Sequence, residues 1–531
     1  MRDGRCRLLI ALVCAALSVA PATTWAQNSN DLNSFDFSLP GARSRGMGGA
    51  FVAVADDATS VYSNPAGLTQ LFLAEISAEG RVWQHRSRLA DNGHAFGPAR
   101  GIGVDTINGL QYRTWEETSA GLSFLSYVYP GSRWAIGGFR HQLAKYRMQR
   151  HTQGPFFDCV SPPELLAIHA GIRGLPNRSE PFCEPHTLVR NADGSFPRDE
   201  NNGLLLGDGV DREAPKDQEF ELDIHSYGVS GAYDVTERLS IGATLQYFRF
   251  RISARNLVYG ARNERKYLPA DVSDSNLELE GTEDGTDSAF AVNLGALLRI
   301  SDHWTVGGSF RQGPKFTFTA QTARRVGLVP SYRGIDVLPS TGTCPVTFPL
   351  TCDRIVDVTD NPYHVPDTFA LGAVFRPSIL WRIGFEYDRV SFSQLVEDFR
   401  QVSSGPDLLG QDPEGTFAAA RTFVDDAHQL RAGAERTWVR SGFSFAARGG
   451  VWYDPQHQPY FKVNDPATGM PAPRWALLFP KQDDDLHWTA GLGLVLGQRI
   501  QLDAAVDFSD PTDTFAVSMV LRLPEWTRAP R

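Results

Sequence analysis

The chain has 531 residues, of which 51 are lysine or arginine and 61 are aspartate or glutamate, giving a net charge of −10. This acidic balance argues against a nucleic-acid partner, because nucleic-acid binding requires a basic surface. Beyond the N-terminus no stretch approaches the roughly 18 continuous apolar residues of a membrane-spanning helix. A hydrophobic content of 42% fits a soluble protein, and it equally fits a membrane barrel whose strands face lipid at every second residue.

The first 26 residues have the layout of a secretory signal. Three arginines lie within the first seven residues, and an apolar run follows from Leu8 to Ala20. Thr24-Trp25-Ala26 then places small residues at positions −3 and −1, which predicts cleavage before Gln27. The alternative is an uncleaved membrane anchor, but the run is shorter than the ~20 residues that a spanning helix needs. We therefore expect an exported protein that begins at Gln27.

Four cysteines remain after cleavage, in two local pairs within long polar stretches: Cys159 with Cys183, and Cys344 with Cys352. In an exported protein this pattern predicts two disulfides, each closing a loop. A zinc site is the weaker interpretation, because neither pair has a CxxC spacing and no histidine pair lies beside them. The connectivity stays open at this point.

Alternating segments of about ten residues recur from residue 71 onward. In residues 239–248 the odd positions are Leu, Ile, Ala, Leu and Tyr, whereas the even positions are mostly small or polar. Residues 381–388 and 500–508 show the same period of two, which is typical of strands with one apolar and one polar face. The chain is therefore predicted to be all-β.

The connections between these segments alternate between short and long. Short turns on one side of a sheet and long loops on the other are typical of outer-membrane barrels. Six turns and seven loops join fourteen strands, with both ends on the periplasmic side. The turns lie near residues 131–132, 236–238, 301–303, 377–378, 439–442 and 497–498, and the loops near 85–110, 151–219, 259–286, 323–366, 397–426, 455–485 and 509–513.

Tryptophans and acidic residues favour a membrane barrel over a soluble one. Trp134, Trp304 and Trp381 each open a strand just after a short turn, where an interfacial girdle would lie. The alternative is that they are core residues of a soluble protein. The faces that would point inward carry acidic side chains, which a hydrated lumen tolerates better than a dry core does. These residues are Glu386, Asp388, Asp503 and Asp507.

Residues 36–70 do not alternate and are rich in small residues, which let one backbone pass close to another. Within them, the run GMGGAFVAVADDATSVYSNPAGL (residues 46–68) resembles the N-terminal hatch of the FadL/TodX outer-membrane transporters, which take up long-chain fatty acids and aromatic hydrocarbons. Val365-Pro366-Asp367-Thr368 and Phe392-Ser393-Gln394-Leu395 form a second, weaker match. The resemblance implies a fourteen-strand barrel whose N-terminus plugs the lumen.

The resemblance also implies a mechanism. Substrate would lodge among the outer loops, move into an apolar pocket inside the barrel, and leave sideways through a gap at a kinked third strand. Here that strand is predicted from Arg133 to about Tyr146, and Gly137-Gly138 within it is the candidate kink, since interior glycines mark bends. Glycines that merely lie beneath neighbouring aromatic rings are the alternative.

Candidate substrate contacts lie on the hatch. Arg43 and Arg45 could meet a substrate carboxylate in a bidentate manner, and the alternative is salt bridges to the inward acids. Met47 and Phe51 are candidate apolar contacts on the same segment. Gly48 and the turn-forming Asn64-Pro65 complete the predicted hatch site.

Four units are predicted: a signal peptide (1–26), a hatch (27–70), a barrel with long extracellular loops (71–523) and a tail (524–531). No hydrolase elbow, zincin or phosphate-loop motif occurs, so neither an enzyme nor a cofactor or metal is expected. The predicted function is uptake of hydrophobic molecules by a monomer in the outer membrane, in contact with its lipid. The alternative is an outer-membrane scaffold that binds a surface partner without transport.

Overall fold

The computed structural model describes most of the barrel and the hatch. The predicted signal peptide, Cys159, Cys183, Cys344 and the side chain of Cys352 lie outside the described residues, so cleavage and both disulfides stay predictions. The described residues are 39–158, 210–261, 263–326, 352–396, 422–461, 477–478 and 480–527.

None of the helices in these segments is long and apolar enough to cross a membrane.

The described residues form short helices and mostly long strands. Helix α1 spans Ala42–Gly46 and α2 spans Ser60–Ser63, and 3-10 helices cover Pro65–Gln70, Asn263–Tyr267, Asp274–Asn276 and Phe392–Leu395. The strands are β1 Leu73–Ala95, β2 Gly109–Pro130, β3 Trp134–Thr152, β4 Phe156–Asp158, β5 Val210–Arg212, β6 Lys216–Asp234, β7 Leu239–Tyr259, β8 Leu277–Arg299, β9 Trp304–Arg311, β10 Lys315–Val326, β11 Cys352–His364, β12 Thr368–Ser378, β13 Trp381–Val390, β14 Thr422–Phe423, β15 Ala427–Arg440, β16 Phe443–Asp454, β17 Tyr460–Phe461, β18 Asp485–Leu496, β19 Ile500–Phe508 and β20 Thr512–Thr527.

The strands close into an antiparallel barrel of fourteen, as predicted. Closure is made by β20, which pairs with β1 from Leu73–Thr527 to His85–Thr512. Two neighbouring wall strands each consist of two pieces, β9 with β10 and β11 with β12. Both break at a proline, Pro314 or Pro366, which cannot donate a ladder hydrogen bond.

Several strands are longer than predicted. β1 reaches Ala95, β3 reaches Thr152 and β20 reaches Thr527, so the last strand continues into the predicted tail. The extensions of β1 and β3 lie on the long-loop side of the barrel. Their outward faces are polar because they rise above the apolar layer, so the apolar-outside alternation that marks a membrane strand is missing there.

The barrel exposes its apolar faces and buries its polar ones, which is the reverse of a soluble protein. On β7, Ile241 and Leu245 are exposed whereas Thr244 and Gln246 are buried. The tryptophans at the starts of β3, β9 and β13 are also exposed, next to the short turns. A closed barrel with an apolar outer band and interfacial aromatics is built to lie in the outer membrane.

The hatch crosses the lumen at the level of the lower strand halves, next to the short turns. Helix α1 packs against β18, β19 and β20, and the 3-10 helix Pro65–Gln70 packs against β6, β7 and β8 on the other side. Glycines on the wall make room for it. A Cβ at Gly433 would lie 2.1 Å from the carbonyl oxygen of Met47, and one at Gly450 would lie 2.4 Å from the backbone nitrogen of Gly48. The predicted plug is therefore confirmed.

A side chain at Gly450 should displace the hatch without preventing barrel formation. We expect Gly450→Val to expose the hatch to protease and to raise the conductance of the barrel in planar bilayers, because the hatch backbone cannot move aside by the ~1 Å required. Gly449→Val is the matched control, since its Cβ would meet only the carbonyl oxygen of Thr489 at 3.9 Å. Equal conductance of the two variants would contradict the prediction.

Candidate functional site

Above the hatch, one side of the lumen is lined by apolar side chains. On β7 the inward face changes from Thr244 and Gln246 to Phe248, Phe250 and Ile252, and the neighbouring strands change at the same height. Phe250 stacks on Phe316 with ring centroids 4.7 Å apart, and on Tyr363 at 5.3 Å. We call this set the apolar cluster. Its larger members are Leu143, Tyr146, Met148, Phe220, Leu222, Phe248, Phe250, Phe316, Phe318, Tyr363, Phe392 and Leu395.

The apolar cluster was missed at the level of sequence, although a signal for it exists. From Phe248 onward the charged residues of β7 are Arg249, Arg251 and Arg255, at odd positions that point outward in the lower half of the strand. The inversion of polarity along one strand shows that the upper half has left the membrane and that its inner face is apolar.

A ring of polar side chains lies between the hatch and the apolar cluster. Ser226 pairs in register with His141, and Asn293 with Arg311, so that neighbouring strands bring these groups together. All are buried, and each has an atom without a hydrogen-bond partner in the described part of the chain. We call them the polar collar: His141 (Nδ1), Ser226 (Oγ), Gln246 (Oε1), Asn293 (Nδ2), Ser309 (Oγ) and Arg311 (Nη1).

Arg311 is the positive centre of the polar collar. Its guanidinium has no ion-pair partner among the described residues, and it lies over the ring of Tyr62 at 5.7 Å. The Tyr62 ring in turn lies 4.4 Å from that of His141. Because a buried polar group without a partner costs about 1–3 kcal/mol, a set of such groups facing the lumen is suited to a polar ligand group or to ordered water.

The two hatch arginines bind carboxylates of the wall and of the hatch itself. Arg43 contacts Asp56 at 2.5 Å and Glu435 at 2.9 Å, and Arg45 contacts Asp507 at 3.4 Å. Burial opposes ionisation of Asp56, but the guanidiniums of Arg43 and Arg382 outweigh it and hold the pKa of this carboxyl below its ordinary value. This geometry matches the salt-bridge interpretation of the arginines.

The remaining predicted hatch residues pack the plug against the wall. Met47 and Phe51 are fully buried, and the backbone nitrogens of Phe51 and Val52 donate to Glu386 Oε2 at 2.6 and 2.7 Å. The Asn64 amide donates to the carbonyl oxygen of Val52 at 2.8 Å. Gly48 lies against Val451, and Pro65 against Gly242 and Gly295 of the wall. A role of these residues in substrate binding stays a prediction.

The barrel wall has a seam between β2 and β3. The two strands pair only where Phe124–Pro130 meets Ala135–His141, although β2 continues to pair with β1 up to Leu110. Above this point β3 pairs with β6 alone, and its register shifts between Gln142 and Ala144. The extra residue, Leu143, belongs to the apolar cluster.

Side chains bridge the seam in place of the missing ladder. Arg140 donates to the carbonyl oxygen of Leu122, and Lys145 Nζ donates to that of Ala120 at 2.9 Å. Higher up, the backbone nitrogen of Gln149 donates to Glu117 Oε1 at 3.3 Å. Across the seam, each hydrogen bond therefore joins the backbone of one strand to a side chain of the other.

The irregularity of β3 does not lie at the predicted Gly137-Gly138. Both glycines pair regularly with β2 and with β6, and the bulge comes at Leu143. Gly137 instead provides space for the hatch, because a Cβ there would lie 2.7 Å from Val61 Cγ1.

The two weaker sequence matches meet at the top of the lumen. The backbone nitrogen of Asp367 donates to Gln394 Oε1 at 2.7 Å, and Gln394 Nε2 donates back to Asp367 Oδ2 at 3.1 Å. These two hydrogen bonds hold the short segment between β11 and β12 next to the 3-10 helix that carries Phe392 and Leu395. The two motifs therefore shape one side of the apolar cluster.

The architecture matches solved structures over nearly the whole chain. A FadL homologue of Pseudomonas aeruginosa is similar with a TM-score of 0.52 and 10% identity, over 92% of this chain and 99% of that one. The fold is that of a FadL-type barrel.

Two further structures are similar at lower scores, namely the toluene transporters TbuX of Ralstonia pickettii (TM-score 0.47, 14% identity) and TodX of Pseudomonas putida (0.44, 11%), each over 92% of this chain and 99% of the other. No family profile and no curated protein matches the sequence. At these identities the likeness concerns the fold of the FadL-type barrel alone.

Glu435 should be needed to hold the hatch. It accepts from Arg43, from Arg382 at 2.9 Å and from Arg448 at 2.7 Å, so Glu435→Gln leaves several buried cations undercompensated, at a cost of about 3–5 kcal/mol. We expect faster proteolysis within residues 39–70 while the barrel stays folded. Glu237→Gln, in an exposed turn, is the control and should leave the cleavage rate unchanged. Wild-type protection in Glu435→Gln would show that the hatch is held by packing alone.

Proposed function

We propose that this protein takes up hydrophobic molecules across the outer membrane, binding them in the apolar cluster and releasing them sideways through the seam between β2 and β3. One observation carries the proposal: the apolar cluster reaches the wall at Leu143, at the point where the ladder between these strands ends. The hatch blocks the straight route to the periplasm.

The physical advantage of this route is that the substrate avoids water. Burial of apolar surface stabilises a bound hydrocarbon by about 25 cal/mol per Å², and an exit through the wall transfers the molecule to lipid, so that this gain is not lost again. An axial exit would return the molecule to the aqueous periplasm.

The polar collar favours a substrate with one polar end. Long-chain fatty acids and aromatic hydrocarbons are the two classes that the hatch resemblance implies. A hydrocarbon would use only the apolar cluster, whereas a fatty acid could place its carboxylate at Arg311, where charge-assisted hydrogen bonds form without displacing an existing ion pair. We therefore propose fatty acids as the preferred class.

We also propose that the chain is exported by a signal peptide cleaved before Gln27 and that it acts as a monomer without enzymatic activity. Disulfides Cys159–Cys183 and Cys344–Cys352 close two of the extracellular loops.

Removal of the bulge should close the exit. Deletion of Leu143 restores an uninterrupted period of two along β3, so that β2 and β3 can pair further and the seam is shortened. We expect uptake of labelled oleate and toluene by cells to fall at least tenfold, while the purified barrel still binds both. Leu143→Met keeps the extra residue and an apolar side chain of similar volume, and it serves as the control with near-normal uptake. Unchanged uptake in the deletion variant would refute lateral release, and a wild-type barrel that binds neither compound would favour the scaffold.

Arg311 should discriminate between acids and hydrocarbons. Replacement by methionine keeps the length of the side chain but removes the charge, so we expect Arg311→Met to weaken dodecanoate binding roughly 10- to 100-fold, in line with about 1.5–3 kcal/mol for hydrogen bonds to a charged group. Toluene binding should stay within about twofold, as measured by titration calorimetry in detergent. Arg376→Met, whose guanidinium lies at the periplasmic end of β12, is the control for the loss of a lumenal charge. Equal weakening for both ligands would exclude Arg311 as a carboxylate partner.

A further inference from the structure

A second site lies on the other side of the lumen. A cavity of about 60 Å³ opens between the upper ends of β1, β15, β16, β18, β19 and β20, and it has room for about two water molecules. We call it the acidic chamber. Aspartates Asp454, Asp483, Asp485 and Asp507 line it, together with His85, His457, His487, Trp452, Gln456 and Arg431.

The chamber has an excess of negative charge. Four aspartates face Arg431 as the single arginine of the lining. Burial disfavours the charged form of His457, but the carboxylate of Asp454 and its hydrogen bond outweigh this and raise the pKa of His457 above its ordinary value. Counting His457 as positive and including Arg45 of the hatch, which reaches Asp507, the four carboxylates still outnumber the cationic side chains by one. A cation is therefore favoured over an anion.

Two buried acceptors in the lining have no partner in the described part of the chain. Gln456 is 5% exposed and its Oε1 is unpaired, while its Nε2 donates to the carbonyl oxygen of Gln458 at 2.6 Å. His487 is 6% exposed and its Nε2 is unpaired. Because His487 Nδ1 lies 2.9 Å from Asp507 Oδ1, the proton belongs on Nδ1, which leaves Nε2 as an acceptor.

From these observations we infer that the acidic chamber binds a small ammonium group. Such a group supplies a positive charge for the carboxylates together with N–H donors for Gln456 Oε1 and His487 Nε2. A bare metal ion fits less well, because no set of three histidine, cysteine or acidic side chains in the described residues is arranged to hold one. A methylammonium-sized group matches the volume of the chamber.

The acidic chamber is separate from the apolar cluster but communicates with the hatch. The rings of His457 and Phe392 stack at 3.9 Å and form the partition between the two spaces. Asp507 also accepts from Trp452 Nε1 at 3.3 Å and from Arg45 of the hatch at 3.4 Å. An ammonium group beside Asp507 thus competes with the hatch for the same carboxylate.

The test measures binding of ¹³C-methylammonium to the full-length barrel in detergent at pH 7 by NMR line broadening. Saturable binding is expected for methylammonium but not for sodium at the same concentration, nor for tetramethylammonium, which lacks N–H donors. Asp485→Asn should weaken binding about tenfold, because it removes one of the facing charges. Asp302→Asn is the control, since this aspartate lies in an exposed short turn at the other end of the barrel.

Gln456→Leu gives a second readout, because it removes one unpaired acceptor without changing the charge, and it should weaken methylammonium binding at least threefold. Absence of saturable binding to the wild-type barrel would show that the chamber holds water only. Equal binding of sodium and methylammonium would show that the chamber attracts cations only through its negative charge and has no specific site for an ammonium group. Neither result bears on hydrocarbon binding in the apolar cluster, which is measured on the same preparation.

Discussion

The docking of the hatch against the wall is the interaction on which the interior depends. A fourteen-strand barrel is too wide for its own side chains to fill, so a folded segment must occupy the lower lumen. Glu386 accepts two hatch backbone hydrogen bonds and Glu435 binds Arg43. Wall glycines bring backbone against backbone, and these carboxylates then fix the position of the hatch. Without it the lumen would be an open aqueous channel.

Because the hatch closes the lower half, the upper half is free to specialise. It is divided between the apolar cluster on the side of β3 to β13 and the acidic chamber between β15 and β20, with the His457–Phe392 stack at the boundary. The polar collar, which includes Arg311, lies between the apolar cluster and the hatch. One barrel therefore offers separate environments for an apolar chain, a carboxylate and a cation.

The barrel could be predicted from sequence because a period of two and the lengths of the connections are local properties. The hatch was found through residues 46–68, whose small side chains reflect close backbone contact. The seam could not be placed, because a bulge at Leu143 depends on which neighbouring strand continues to pair, and this is not a property of the strand itself. For the same reason Gly137 was predicted to mark a kink. In the structure, the absence of a side chain at Gly137 leaves space for Val61 of the hatch.

The seam explains why an opening in this wall need not destabilise the barrel. Ladder hydrogen bonds between other strands form one cooperative array, so breaking them would be costly at every step. Above Phe124, however, β2 is held to β3 by Arg140, Lys145 and a few further contacts, each worth about 1 kcal/mol net. These long side chains can swing aside and return while the backbones of both strands stay paired to β1 and β6. If substrate leaves through the seam, as we propose, the groups that have to move are a small set of side chains, and the fold itself does not have to change.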